Sequence, residues 1–414
     1  MSYKLIKNGF MIDGTGAEIL PGAAVLLKGD RIEDAGKLED ITIPKESIEV
    51  IDAQGGFILP GFIDAHVHLA MQIKDVRETL TTPFAMKFYE TIGYMKNTLD
   101  AGITTVRDAG FADYGIKAAV EKGLVAGPRM QLSITPLTIT GGHGDSWMRS
   151  GLDITPVSYP GMPDGICDGP EQVRQKVREM LRAGAEVIKV HATGGVMSPT
   201  DHPEYTQYSQ EELKVIVEEA TFRRGIKVMA HAQGTEGIKN AVRAGIHSIE
   251  HGIYLDDEVI ELMVEKGTYL VPTLLAPVSV VEASKTNESM PDYAVKKASE
   301  IVEAHKESIA KAYKAGVKIA MGTDAGVMVH GTNLRELGLM CAIGMTPMEA
   351  ILATTKVAAE CLGWEADIGT LTSGKRADVI IVKVNPLEDI SSLEKNENIV
   401  TVIKNGLVEK DIRS

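Results

Sequence analysis

The sequence has 414 residues, 44% of them apolar, with a net charge of −14 and an isoelectric point near 5.3. It carries no Lys/Arg-dense run and no apolar run of about 18 residues, which excludes nucleic acid as the expected partner and a spanning helix as an expected element. Three scattered cysteines, Cys167, Cys341 and Cys361, exclude a disulfide framework or a cysteine zinc site. With an acidic balance and no signal-like leader, the expected location is cytoplasmic.

Residues 1–57 read as short strands broken by Gly and Asp, such as "YKLIKNG" and "SIEVIDAQGG". Residues 361–414 read the same way, with "RADVIIVKV" and "IVTVIKNG". Both ends are therefore expected to build one small β-sandwich domain around a central unit, residues 58–360. In that unit eight apolar strand candidates follow in order: "FIDAHVHL", "TTVRDAG", "MQLSITP", "VIKVHATGG", "KVMAHAQG", "SIEHG", "YLVPTLL" and "KIAMGTDA".

Helical patterns lie between them. "PEQVRQKVREMLRAG" places Val173, Val177, Met180 and Leu181 on one face. "SQEELKVIVEEATFRRG" opens with the capping-box pair Ser209 and Glu212. Four segments, "LDAGITTV", "LRAGAEVIKV", "VRAGIHSIEH" and "YKAGVKIAMG", run from helix through Ala-Gly into strand. Glycine suits the left-handed position after a helix. The expected fold is α/β, a (β/α)8 TIM barrel with the small terminal domain. An open doubly wound sheet is disfavoured, because no Gly-rich phosphate loop follows the first strand. Segments 136–168 and 276–292 are long enough to be expected as loops over the barrel mouth.

Barrel strands converge at their C-terminal ends. Those ends carry His66 and His68, Lys189, His231, His251 and Asp324. Residues i and i+2 of a strand share a side, so His66 and His68 point at one place. A lone histidine is most simply a hydrogen-bonded core residue, but these groups come from five strand ends and suit Zn²⁺ or a similar divalent ion. Lys189 in "EVIKVHA" is costly to bury as an ammonium. It either snorkels, pairs with an acid, or reacts as a neutral amine with CO₂ to give a two-oxygen carbamate.

Taken together, "LPGFIDAHVHL", "TTVRDAG", Lys189, His231, "IEHG", "GTDAG", "GTLTSGKRADVIIV" and "IKNGFMIDGTG" resemble the amidohydrolase superfamily over nearly the whole chain. Within it, the sequence is most similar to the imidazolonepropionase-related group containing prolidase-like and Xaa-Arg or Xaa-Lys metallo-dipeptidases. The resemblance implies two divalent metal ions, zinc by donor type. His66, His68 and Asp324 would hold one, His231 and His251 the other, and carboxylated Lys189 would bridge them together with a hydroxide. It implies Asp324 as the proton shuttle and His143, in "TITGGHGDSW", as the group contacting the substrate carbonyl or oxyanion. It also implies a homo-oligomer acting on a small-molecule or dipeptide substrate.

The resulting expectation is hydrolysis of the amide bond of dipeptides or N-acyl amino acids. The alternatives are hydrolysis of a cyclic amide, lactone or xenobiotic amide, and a scaffold without chemistry, which the complete ligand set disfavours. Other pocket candidates are His191, Tyr205, Tyr208 and Tyr254, the tyrosines as carboxylate donors or as ordinary packing residues. Arg107 would pair with Asp108 at the rim or hold a carboxylate. His202, His247, His305 and His330 fall in loop or helix contexts and are expected not to bind metal.

Overall fold

The computed structural model describes residues 3–74, 76–148, 150–153, 159–285 and 290–413. The N-terminal segment supplies β1 (Tyr3–Met11), β2 (Leu20–Lys28), β3 (Arg31–Lys37), β4 (Ile48–Asp52) and β5 (Phe57–Pro60). The central segment supplies β6 (Phe62–Val67), β7 (Ile103–Asp108), β8 (Arg129–Leu132), β9 (Val187–His191), β10 (Lys227–Ala232), β11 (Ser248–His251) and β12 (Tyr269–Val271). The last residues supply β13 (Val379–Val382), β14 (Ile399–Lys404) and β15 (Leu407–Asp411).

Both ends of the chain share one eight-stranded sheet. Its order is β15-β14-β13-β5-β1-β2-β3, with β4 also beside β1. The joint is the antiparallel β5–β13 pair, where Ile58 faces Ile381 and Leu59 faces Ile380. Alternation sends successive side chains to opposite faces. Ile6, Val25 and Leu27 enter one apolar cluster, and Leu5, Ala24 and Leu26 enter another.

The seven central strands form two parallel sheets, β6-β7-β8 and β9-β10-β11-β12. Seven of the eight expected strands are thus regular strands. Residues 318–325 are not, yet they run parallel between β12 and β6, with Leu270 bridging Ile319 and Val67 bridging Ala325. Ala65 N donates to Met321 O at 2.9 Å and His68 N to Ala325 O at 2.7 Å. The other seam is crossed at Leu137, whose N–H donates to Lys189 O and whose O accepts from His191 N, both at 2.9 Å. The two sheets are therefore bonded edge to edge on both sides. Regularity fails at 318–325 because Thr323 N and Asp324 N both turn to His66 O, and Asp324 adopts φ +62.

The helix–strand junctions follow the sequence pattern. Gly102, Gly184, Gly245 and Gly316 have φ of +83, +105, +92 and +90. Ser209 and Glu212 form the capping box, and Val173, Val177 and Met180 are the buried face of the helix Gly169–Ala183. One expectation fails. Within 276–292, residues Leu275–Ser284 are a helix, with Leu275, Ala276, Pro277 and Val280 buried. Its run "LAPVSVV" lacks a polar stripe, so no helical period shows, and Pro277 is tolerated in a first turn. Segment 136–168 holds turns and isolated bridges; its residues 149 and 154–158, like 286–289, lie outside the described residues.

Gly245→Ala tests the junction rule. An added Cβ would meet only Val217, at 3.6 Å, so the cost is that of the left-handed backbone alone. We expect a loss of about 1 kcal/mol, read as a lower thermal midpoint, with metal content unchanged.

Candidate active site

His66 of β6 and His68, just past its end, are oriented by what their Nδ1 atoms touch. His66 Nδ1 donates to Glu250 Oε2 at 2.7 Å, and His68 Nδ1 to Gly110 O at 3.2 Å. In the neutral rings, each Nε2 then carries a lone pair. These nitrogens stand 3.4 and 3.2 Å from Asp324 Oδ1. That oxygen is buried and accepts no hydrogen bond. Three acceptors facing one another repel unless a cation sits among them. Ligand atoms of His66, His251 and Asp324 all lie within 4.8 Å of each other. The donor chemistry thus fits a divalent metal.

The opposite wall extends the set. His231 Nε2 donates to Gly194 O at 2.9 Å, which leaves Nδ1 with its lone pair. His251 Nδ1 meets Thr273 Oγ1 at 2.7 Å, and its ring centroid lies 4.5 Å from that of His231. Burial holds His191, His231 and His251 far below the ordinary imidazole range, so they stay neutral. Lys189 is 1% exposed, and among the described residues its Nζ makes no hydrogen bond or ion pair. Burial lowers its ammonium to about 8, against the pull of Glu250 and Asp324. An amine with that pKa is partly neutral near physiological pH, the form that adds CO₂.

Arg107 corrects the sequence expectation. It is fully buried, does not meet Asp108, and does not line the cavity. Its Nε donates to Ala65 O at 2.6 Å, Nη1 to Ser248 Oγ at 3.0 Å and Nη2 to Glu250 Oε1 at 2.9 Å. Burial alone would raise the Glu250 carboxyl, but Arg107 and His66 outweigh it and bring it to about 2. Asp108 instead accepts from Leu69 N at 2.7 Å and Gly110 N at 3.0 Å. Asp64 holds the last turn of the ring, accepting from His66 N, Thr323 N, Thr323 Oγ1 and Asn333 Nδ2 at 2.6–3.2 Å.

His143 is seated by a loop clamp. Its Nδ1 lies 3.0 Å from Ser198 Oγ and 3.4 Å from Asp201 Oδ2, and its ring stacks on His231 at 4.3 Å between centroids. Lys297, on the helix Asp292–Lys314, donates to the carbonyls of Gly195, Ser198 and Asp201 at 2.7–2.9 Å and fixes that loop. His191 packs edge-on to His143, with its Nδ1 unpartnered.

His66, His68, Lys189, His231, His251, Asp324, His143 and His191 all line one cavity of about 470 Å³. The three tyrosines do not. Tyr208 is buried beneath the loop, its hydroxyl donating to Cys167 O at 3.1 Å. Tyr205 is 61% exposed, and Tyr254 packs beside Val196 and Ile253 outside the lining. Of the histidines set aside, His305 reaches the cavity wall, but its Nε2 serves His251 O at 2.8 Å. His247 and His330 bond the carbonyls of Cys361 and Met71, and His202 lies off the cavity lining. Glu250, Asp201, Ser198 and Lys297 were not singled out from sequence. Glu250 sits inside the quoted "SIEHG", where an acid facing the barrel interior was the available signal.

Residues 57–408 match the amidohydrolase family. The chain belongs to that family. It is 36% identical to ochratoxinase of Aspergillus niger over 98% of this chain and 86% of that one. It superposes on a Xaa-Pro dipeptidase with bound methionine at TM-score 0.88 and 36% identity, covering 98% and 99% of the two chains. A prolidase in complex with N-methylphosphonate-L-proline superposes at 0.91 and 32% identity, covering 99% and 100%. Membership makes the strand ring a TIM barrel with an additional domain, and the protein a hydrolase acting on C–N bonds.

Glu250→Gln tests the support beneath His66. It leaves Arg107 buried without its counter-charge, which costs about 3 kcal/mol. Metal affinity should fall about 10- to 100-fold, read by chelator competition beside thermal unfolding.

Proposed function

We propose that this amidohydrolase is binuclear and cleaves the amide bond of dipeptides or N-acyl amino acids. One observation supports the reading above others: His66, His68, His231, His251, Asp324 and the buried Lys189, which has no side-chain partner among the described residues, line a single cavity of about 470 Å³, large enough for a small molecule and too small for a protein chain. The Xaa-Pro dipeptidase and prolidase likenesses support the peptide class. His66, His68 and Asp324 would hold one ion, and His231 and His251 the second. Lys189, carboxylated, would hold both. Bound there, divalent cations supply Lewis-acid polarisation of a carbonyl and an acidified water.

The chain's own residues do the rest. Asp324 directs Oδ1 at His66 and His68, and the second oxygen of its carboxylate is the one to take a proton during attack and return it to the leaving nitrogen. His143 Nδ1 bonds Ser198 Oγ at 3.0 Å. Asp201 Oδ2 stands 3.4 Å from the same nitrogen. Burial works against that carboxylate, but His143 holds it below the ordinary range. In this arrangement His143 presents a proton to the substrate's carbonyl oxygen as negative charge develops.

A screen of dipeptides and N-acyl amino acids against lactones and cyclic amides decides the class. Turnover confined to lactones or cyclic amides would sink the proposal. Lys189→Ala should lose one metal per chain and most activity; unchanged metal content and rate refute its bridging role. His143→Ala should keep both metals and lose about 3 kcal/mol of transition-state stabilisation, a fall of 10²-fold or more in kcat. A change confined to KM would make His143 a binding residue.

A further inference from the structure

Lys87 faces the same cavity from the helix Met86–Asp100, and nothing in the reaction above uses it. Among the described residues its Nζ has one polar partner, the Tyr159 hydroxyl at 3.3 Å, with the Tyr159 ring centroid 5.0 Å away. No carboxylate of the described residues comes within ion-pair distance of it. The side chain is also half-buried, and burial lowers its ammonium below the ordinary lysine range, although Asp113 and Asp108 pull the other way. Asp113 caps the helix Tyr114–Glu121 through Oδ1 and Ile116 N at 2.8 Å, and its carboxylate also acts on the Tyr159 hydroxyl. Finally, Lys87 lies in the first turn of a 15-residue helix, where a cation opposes the positive end of the macrodipole.

Burial, the helix N-terminus and the lack of an ion-pair partner among the described residues disfavour the ammonium, and an anion beside it would relieve them. The other lysines of the lining are engaged or otherwise assigned. Lys74 pairs with Glu78 and Glu90 at 3.2 and 2.7 Å, and Lys189 belongs to the metal set. Tyr159 adds a hydroxyl at the same place. Phe111, Met162, Pro163 and Ile166 supply apolar wall in the same cavity.

We propose that the Lys87 ammonium and the Tyr159 hydroxyl form the subsite for a substrate carboxylate. The preferred substrates are then amides that carry a free carboxylate, as dipeptides and N-acyl amino acids do, in preference to the same molecules with that group capped. The assignment rests on the proposed function in one respect, that the amide is cleaved in this cavity.

Binding to the metal-loaded full chain tests it without relying on turnover. The probes are a phosphonate dipeptide mimic with a free C-terminal carboxylate and the same compound as its carboxamide. Wild type should hold the carboxylate form about 10- to 100-fold more tightly. Lys87→Met should lose that preference and bind the carboxamide as wild type does, and Lys87→Arg should restore most of it. Tyr159→Phe should narrow the preference with the carboxamide again unchanged, a milder variant should Lys87→Met lower the thermal transition. Equal binding of both probes by wild type overturns the assignment, as does a preference that survives Lys87→Met. A wild-type chain that discriminates between the probes yet cleaves no amide would defeat the proposed function and leave the subsite standing.

Discussion

The centre depends on a buried ion chain that runs from Arg107 through Glu250 to His66. Arg107 and Glu250 are both removed from water, a placement that is strongly unfavourable for either alone. It holds because the lone pairs and protons are matched. Glu250 accepts from Arg107, from Ser248 Oγ at 2.6 Å and from His66 Nδ1. The chain joins β6, β7 and β11 across the barrel interior and fixes which nitrogen of His66 faces the cavity. What looks from sequence like a rim arginine, paired with Asp108 or holding a carboxylate, is a strut under His66.

The same logic recurs around the cup. Gly110, Gly194 and Thr273 each engage one nitrogen of His68, His231 and His251, and leave the other for the cavity. Asp64 pins the segment that carries Asp324. Two of these residues, His251 and Asp324, sit at φ of +74 and +62, a backbone state that costs non-glycine residues about 1–3 kcal/mol each. The surrounding bonds sustain that strain at the places where side chains must aim inward. The cavity was legible as a destination from sequence, but the orientation of each ring depends on partners from other strands.

That difference marks how far the sequence could be read. Strand ends, helix faces and the Ala-Gly junctions follow local period and backbone rules, so seven of eight strands and the capping box were visible in the residues themselves. His66, His68, Lys189, His231, His251 and Asp324 could be gathered because strand polarity alone brings them to one mouth. What stayed unread is mostly non-local. Tyr208 turns to Cys167, and Tyr205 and Tyr254 miss the lining, because loop residues take their direction from packing that no period encodes. The helix Leu275–Ser284 hid because it is apolar on several sides. Glu250 and Asp201 went unremarked because their importance lies in whom they touch.

The shared terminal sheet sets a condition on biosynthesis. β5 finds its partner β13 only after the whole barrel has left the ribosome, since Leu59 pairs with Ile380. Until then the "FILP" edge stands open, one residue before β6, which carries His66 and leads into His68. Such distant pairing makes folding slow and leaves an adhesive border during synthesis. A nascent chain stalled near residue 370 would hold every side chain of the candidate metal site and still lack β13, the partner of the strand that leads into β6.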